Sequence, residues 1–183
     1  MLLPEAIRAR LAIEIGRLRG VAGDVAWVAE ANLHVTLKFL GQIDDARVEP
    51  IAEAIRAVAA RTPPFDLEVR GLGAFPTPGR PRVVWVGLEP AAPLAALAAE
   101  VDRMLGALGV ARETRPFAAH VTLGRVRENR RNPALAGALA RSADCGRLPV
   151  ARLSLMRSQL HPRGARYTEL TSVLLTGARS PVE

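Results

Sequence analysis

His34-Val35-Thr36-Leu37 and His120-Val121-Thr122-Leu123 are the same four-residue word, written twice 86 residues apart in a chain of 183. Only three histidines occur in the chain, and two of them head these words. Each word reads as a strand. Alternation puts Leu33, Val35, Leu37 and Phe39 on one face and His34, Thr36 and Lys38 on the other. In the second copy Val121 and Leu123 oppose His120, Thr122 and Gly124. Two strands that each bury one face and display an imidazole above a hydroxyl predict a paired acid/base site.

Outward from these words, helix and strand signals alternate in two similar rounds. Leu3 to Arg19 carries the stripe Ile7, Leu11, Ile15 and Leu18 and stops at Gly20, as a helix should. Val25 to Val28 is a short apolar strand leading through Asn32 into the first word. Asp44 or Asp45 starts a helix bearing Val48, Ile51, Ile55 and Val58. Pro63-Pro64 closes it and opens a strand with Phe65, Leu67 and Val69 on one side. Gly71 to Pro81 is rich enough in Gly and Pro to predict an irregular link to a strand over 82–88. A third helix runs from about Pro93 to Leu108, and the second motif strand covers about Ala118 to Val126. Asn132-Pro133 marks the cap and first residue of a short helix. Strands near 150–156 and 167–175 flank a loop containing His161. The expected class is α+β: one domain over 1–183, made of two similar lobes about a pseudo-twofold axis, with antiparallel sheets, outer helices and a central cleft.

The composition limits the function. Half of the residues are hydrophobic, which argues against disorder. A single cysteine, Cys145, excludes an intrachain disulfide and a thiolate metal cluster. No secretory signal pattern opens the sequence, and the apolar run 90–99 is too short to span a bilayer. The expectation is a cytoplasmic monomer with no membrane partner. The net charge of +7 is carried almost wholly by arginine, Lys38 being the only lysine. That balance suits phosphate-bearing partners, although the same bias can arise from codon composition.

Histidine gives or takes a proton near neutrality. Two of them on opposite sides of a phosphodiester can divide an in-line displacement, one deprotonating water while the other protonates the leaving oxygen. Threonine two residues on can bond a non-bridging oxygen, and arginines can offset developing charge. Arg125, which simple alternation puts on the apolar side, and Lys38 are candidate phosphate contacts. Phe75 is the better base-stacking candidate among Phe75, Trp27 and Trp85; Trp85 reads as core. Tyr167 either donates to phosphate or locks the last hairpin. The cluster Arg127, Arg130 and Arg131 reads as a solvated face. His161 reads as a loop residue, and a metal site of His34, His120 and His161 lacks ligand spacing or an acidic cluster.

The spans 32–41 and 115–125 resemble the two H-x-T signatures of the 2H phosphoesterase superfamily. Gly71-Leu72-Gly73-Ala74-Phe75-Pro76 and the later Ser158, Pro162, Gly164, Tyr167 and Thr168 are similar to its RNA 2′,3′-cyclic phosphodiesterase branch, also called 2′-5′ RNA ligase. The resemblance implies a bilobal fold, no metal or other cofactor, and hydrolysis of an RNA terminal 2′,3′-cyclic phosphate to a 2′-phosphate, with 2′-5′ ligation as the reverse reaction. It implies His120 as proton acceptor, His34 as proton donor, and Thr36 and Thr122 as phosphate ligands. The substrate is then an RNA end or a small cyclic nucleotide. A non-catalytic RNA-end or nucleotide-binding module of the same fold is the alternative. The chain departs from the family at its start, where only Met1 and Leu2 stand before Leu3-Pro4-Glu5 in place of an apolar strand. That departure predicts unpaired backbone groups along a neighbouring strand.

Overall fold

Amphipathic stripes and alternating strands account for most of the architecture in the computed structural model, which describes residues 1–128, 131–159 and 165–178. Helix α1 (Glu5–Arg19) buries Ile7, Leu11, Ile15 and Leu18. Strand β1 (Val25–Trp27) follows, and a single 3₁₀ turn at Glu30–Asn32 leads into the first motif. Helix α2 (Val48–Arg61) comes after a second 3₁₀ turn at Asp45–Arg47, and α3 (Ala91–Ala107) buries Leu94, Leu97, Val101 and Leu105. The short helix α4 (Pro133–Leu139) begins as the sequence predicts: the Asn132 side chain accepts a hydrogen bond from Leu135 N at 2.9 Å. Each fully buried leucine of these stripes contributes about 1.5–3 kcal/mol relative to exposure.

Among the described residues the strands form two antiparallel sheets. One has the order β1-β4-β3-β2-β5, where β2 is Phe65–Thr77, β3 Arg80–Glu89, β4 His120–Val126 and β5 Asp144–Val150. The other is a hairpin of β6 (Arg152–Gln159) and β7 (Arg166–Leu174). Helix α1 packs against both edge strands, β1 and β5, while α2 packs against α3 and the β6–β7 hairpin. This is the expected α+β class.

Several local expectations are corrected. The Gly- and Pro-rich stretch from Gly71 is regular: β2 continues through it to Thr77 and turns directly into β3. Its glycines serve the strand. Gly71, at φ +72°, is the extra residue of a β-bulge between Arg70 and Leu72. Strand β5 is an edge strand whose alternation is blurred by Gly146 and Pro149; Pro149 is tolerated there because an edge has a free side.

The first motif is not a regular strand. Leu2 and His34 form an isolated antiparallel bridge, Val35 N donates to Met1 O at 3.0 Å, and Met1 N donates to Val35 O at 2.8 Å. Met1 and Leu2, ahead of α1, therefore supply pairing that the sequence left open. Beyond Thr36 the alternation fails. Lys38 turns inward to an ion pair, and Phe39, expected in the core, is 80 % exposed.

Candidate active site

The two histidines are held by the same local device. Nδ1 of His34 lies 2.7 Å from Asn32 O, and Nδ1 of His120 lies 2.8 Å from Ala118 O. A carbonyl oxygen can only accept, so Nδ1–H is the donor in both rings and Nε2 is the nitrogen left for chemistry. Neutral, Nε2 is a base; protonated, it is an acid. The duplicated word thus carries a duplicated hydrogen bond to the carbonyl two residues upstream.

His34 rests on Tyr167 of β7, with ring centroids 4.8 Å apart and planes at 58°. Asn32, whose carbonyl orients His34, also donates through Nδ2 to Ala165 O at 2.8 Å, so it joins the histidine to the start of β7. Burial lowers the pKa of His34 below the ordinary histidine value, and the hydrogen bond to Asn32 opposes this.

His120 opens β4, and sheet register defines its neighbours. Residues paired across antiparallel strands share a face. His120 pairs with Gly87, Thr122 with Trp85, and Arg125 with Val83. On β2, Gly73 pairs with Trp85 and Phe75 with Val83. His120, Thr122, Arg125, Trp85, Gly73 and Phe75 therefore lie on one face, opposite the buried Val84, Val86 and Val121. Two bulges create this set. Gly71 rotates Gly73 and Phe75 onto it, and the unpaired Leu123 rotates Arg125 onto it against simple alternation.

Phe75 meets His120 edge-on, centroids 5.1 Å apart at 87°, and Trp85 at 5.3 Å. Trp85 is half-buried on this face and outside the core, contrary to expectation. Its ring lies over Gly73, where an added Cβ would fall 2.2 Å from Trp85 Cζ2. Trp27, by contrast, packs on the core.

The remaining candidates divide. Thr122 is half-buried and Thr36 exposed, and neither hydroxyl has a hydrogen-bond partner among the described residues. Arg125 is exposed and has no ion-pair partner among them. Lys38 is different: its side chain is 6 % exposed and its ammonium is bound to Asp102 and to Ala111 O, so it is neither a solvated strand-end lysine nor free to meet a phosphate. His161 and Arg130 lie outside the described residues. Among the described residues, no group of three or more His, Cys, Asp or Glu side chains is placed to hold a metal ion, and no helix is long and apolar enough to cross a membrane. Asn32 and Asp102 are not site candidates from sequence, and Trp85 is weighed there for base stacking but read as core. Only Asn32 had a readable signal, its place two residues before the histidine.

Two H-x-T segments, each with its imidazole locked through Nδ1, on an α+β frame of antiparallel sheets define a 2H phosphoesterase. Residues 3–162 match the family model of the 2′-5′ RNA ligase superfamily. An RNA 2′,3′-cyclic phosphodiesterase of Archaeoglobus fulgidus is 38% identical over 168 residues, covering 91% of this chain and 92% of its own. One from Aeropyrum pernix is 37% identical over 171 residues, covering 87% and 95%. A solved structure from Thermus thermophilus superposes with a TM-score of 0.80 at 28% identity, covering 97% of this chain and 96% of its own. Escherichia coli LigT in complex with 3′-AMP gives 0.74 at 26%, covering 96% and 95%. The chain belongs to the 2′-5′ RNA ligase superfamily and is an enzyme of the 2H phosphoesterase class.

Proposed function

We propose that the protein hydrolyses RNA terminal 2′,3′-cyclic phosphate to a 2′-phosphate, using His34 and His120 as a proton-donor and proton-acceptor pair. The supporting observation is the shared Nδ1 lock, which leaves Nε2 of both rings for proton transfer. Water attacks phosphorus and gives its proton to His120 Nε2. The bond from phosphorus to the 3′-oxygen breaks, and that oxygen takes the proton of His34 Nε2–H. The two histidines exchange protonation states in the cycle, and solvent resets them.

Thr36 and Thr122 supply hydroxyl donors to the non-bridging oxygens. Arg125 adds positive charge on the His120 face, and Phe75 and Tyr167 border the two imidazoles. Every group in this scheme is a side chain, so the mechanism calls for no metal. A 5′-hydroxyl in place of water would give a 2′-5′ linkage through the same groups. The two sheets then act as lobes on either side of the phosphate; a nucleotide ligand suits the chain's likeness to LigT, which is solved in complex with 3′-AMP.

The test is RNA ending in a 2′,3′-cyclic phosphate, incubated with enzyme in excess chelator, with the phosphate position of the product determined. The wild type should yield 2′-phosphate. His34→Ala and His120→Ala should each lose roughly two to four orders of magnitude in turnover while still binding the RNA end. Both variants working at the wild-type rate would favour a binding module whose activity lies elsewhere.

A further inference from the structure

The single lysine of the chain is not on a solvated surface. Lys38 lies four residues after His34, and its ammonium is closed between Asp102 of α3 and the carbonyl of Ala111, at 2.6 Å from the latter. Asp102 is 13 % exposed and is fully engaged. Its Oδ1 accepts from Lys38 and from Glu113 N at 3.0 Å, and its Oδ2 accepts from Arg112 Nε. Glu113 in turn accepts from Thr114 N at 3.1 Å and Arg115 N at 3.3 Å. The stem of Arg112 lies on Gly106, where a Cβ would be 2.5 Å from Arg112 Cδ.

The segment 111–115 leads directly into the second motif. It has no regular structure, and its residues are exposed. Its geometry therefore depends on these bonds. Three residues after it, Ala118 provides the carbonyl that orients His120. One buried cation thus ties the segment carrying His34 to the segment that sets His120, across 73 residues of sequence.

We infer that Lys38 is a positioning residue: through Asp102 and the Ala111 carbonyl it fixes the separation of the two histidine segments. This rests on the paired-histidine reading above. Proton transfer depends steeply on donor–acceptor distance, and a displacement of about 1 Å at a reacting centre can cost on the order of a hundredfold in rate. A direct phosphate contact would require the ammonium to leave both Asp102 and Ala111. Substrate affinity is therefore expected to be nearly independent of Lys38.

Lys38→Met removes the charge and keeps the length, and it leaves Asp102 still bonded to Arg112 and Glu113 N. Its turnover on cyclic-phosphate RNA, normalised to folded fraction and measured well below the melting temperature, should fall by roughly ten- to a hundredfold. KM should stay within about twofold, because uniform binding is untouched. Lys38→Arg, which can still reach Asp102, should recover most of the loss. Unchanged kcat in folded Lys38→Met overturns the inference, as does a rise in KM at constant kcat, which would make Lys38 a substrate contact. If Lys38→Met does not fold, Asp102→Asn is measured instead: lower kcat at constant KM supports the brace, and wild-type kcat overturns it. His34→Ala and His120→Ala run alongside as controls. If they are inactive while Lys38→Met is fully active, only the brace fails; if they are active, the paired-histidine reading fails first.

Discussion

The phenol ring of Tyr167 leans on the imidazole of His34, their centroids 4.8 Å apart and their planes at 58°. Tyr167 itself is 37 % exposed, while His34 is half-buried. With Nδ1 bonded to Asn32 O, this contact fixes the tilt of the ring as well as its tautomer.

Tyr167→Phe keeps that ring contact and should retain turnover within about threefold. Tyr167→Ala should lose roughly tenfold, the size that an aromatic contact of about 0.5–1.5 kcal/mol allows. Steady-state kcat on cyclic-phosphate RNA separates the cases. A loss in Tyr167→Phe as large as in Tyr167→Ala would assign the hydroxyl, rather than the ring, to the phosphate.

The lowered pKa of His34 makes stability depend on pH in a stated direction. Burial disfavours the imidazolium in the folded chain, while the unfolded chain titrates near the ordinary value of about 6.5. Above that value both states are neutral at His34 and its contribution is intact. As pH falls from about 6.5 towards the lower folded value, the unfolded state gains a proton that the folded state does not, and stability declines. The melting temperature of wild type should therefore drop more steeply than that of His34→Gln between about pH 6.5 and 5. Parallel curves would sink the idea. If His34 is the proton donor, the same lowering moves the alkaline limb of kcat/KM, set by that donor in free enzyme, below the ordinary histidine value of about 6.5.

Gly73 is reserved for the Trp85 ring. An alanine there would place Cβ 2.2 Å from Cζ2, and a rigid indole cannot yield at one atom without moving whole. Its displacement disturbs Phe75, which touches both Trp85 and His120. Gly73→Ala should cost about 1–3 kcal/mol of stability, the usual range for overpacking, and reduce turnover beyond the loss of folded protein. Denaturant melts followed by tryptophan emission, paired with rate measurements, test both parts. A variant with wild-type stability and rate would show that the ring can relax freely.

What sequence could and could not disclose follows from range. The period of two correctly opposed His120 and Thr122 to Val121, because β4 is regular there. It misplaced Arg125 because Leu123 is bulged, and it read the segment of Phe75 as irregular because its glycines resemble loop glycines. The first error is a single residue's shift in register, which reverses every side chain beyond it; the second hid a strand whose bulge residue is Gly71. Trp85 looked like core because it sits between Val84 and Val86, yet alternation puts it on the other face. Lys38 was not readable at all: its partner, Asp102, lies 64 residues away on a helix whose apolar stripe gives no hint of an ion pair.

The division of labour between the histidines can be resolved through the leaving group. Both rings present Nε2 in the same way, so the hydrogen-bond geometry makes either one suitable as acid or base. If His34 protonates the departing 3′-oxygen, its absence matters least when the leaving group needs no proton. An aryl phosphodiester with a leaving group of low pKa meets that condition. His34→Ala should then recover much of its roughly two to four orders of magnitude of lost turnover on the aryl ester. His120→Ala should stay impaired on the same substrate, because water still needs a base. Selective recovery of His120→Ala would reverse the two roles, and equal recovery of both would remove the distinction between a dedicated acid and a dedicated base.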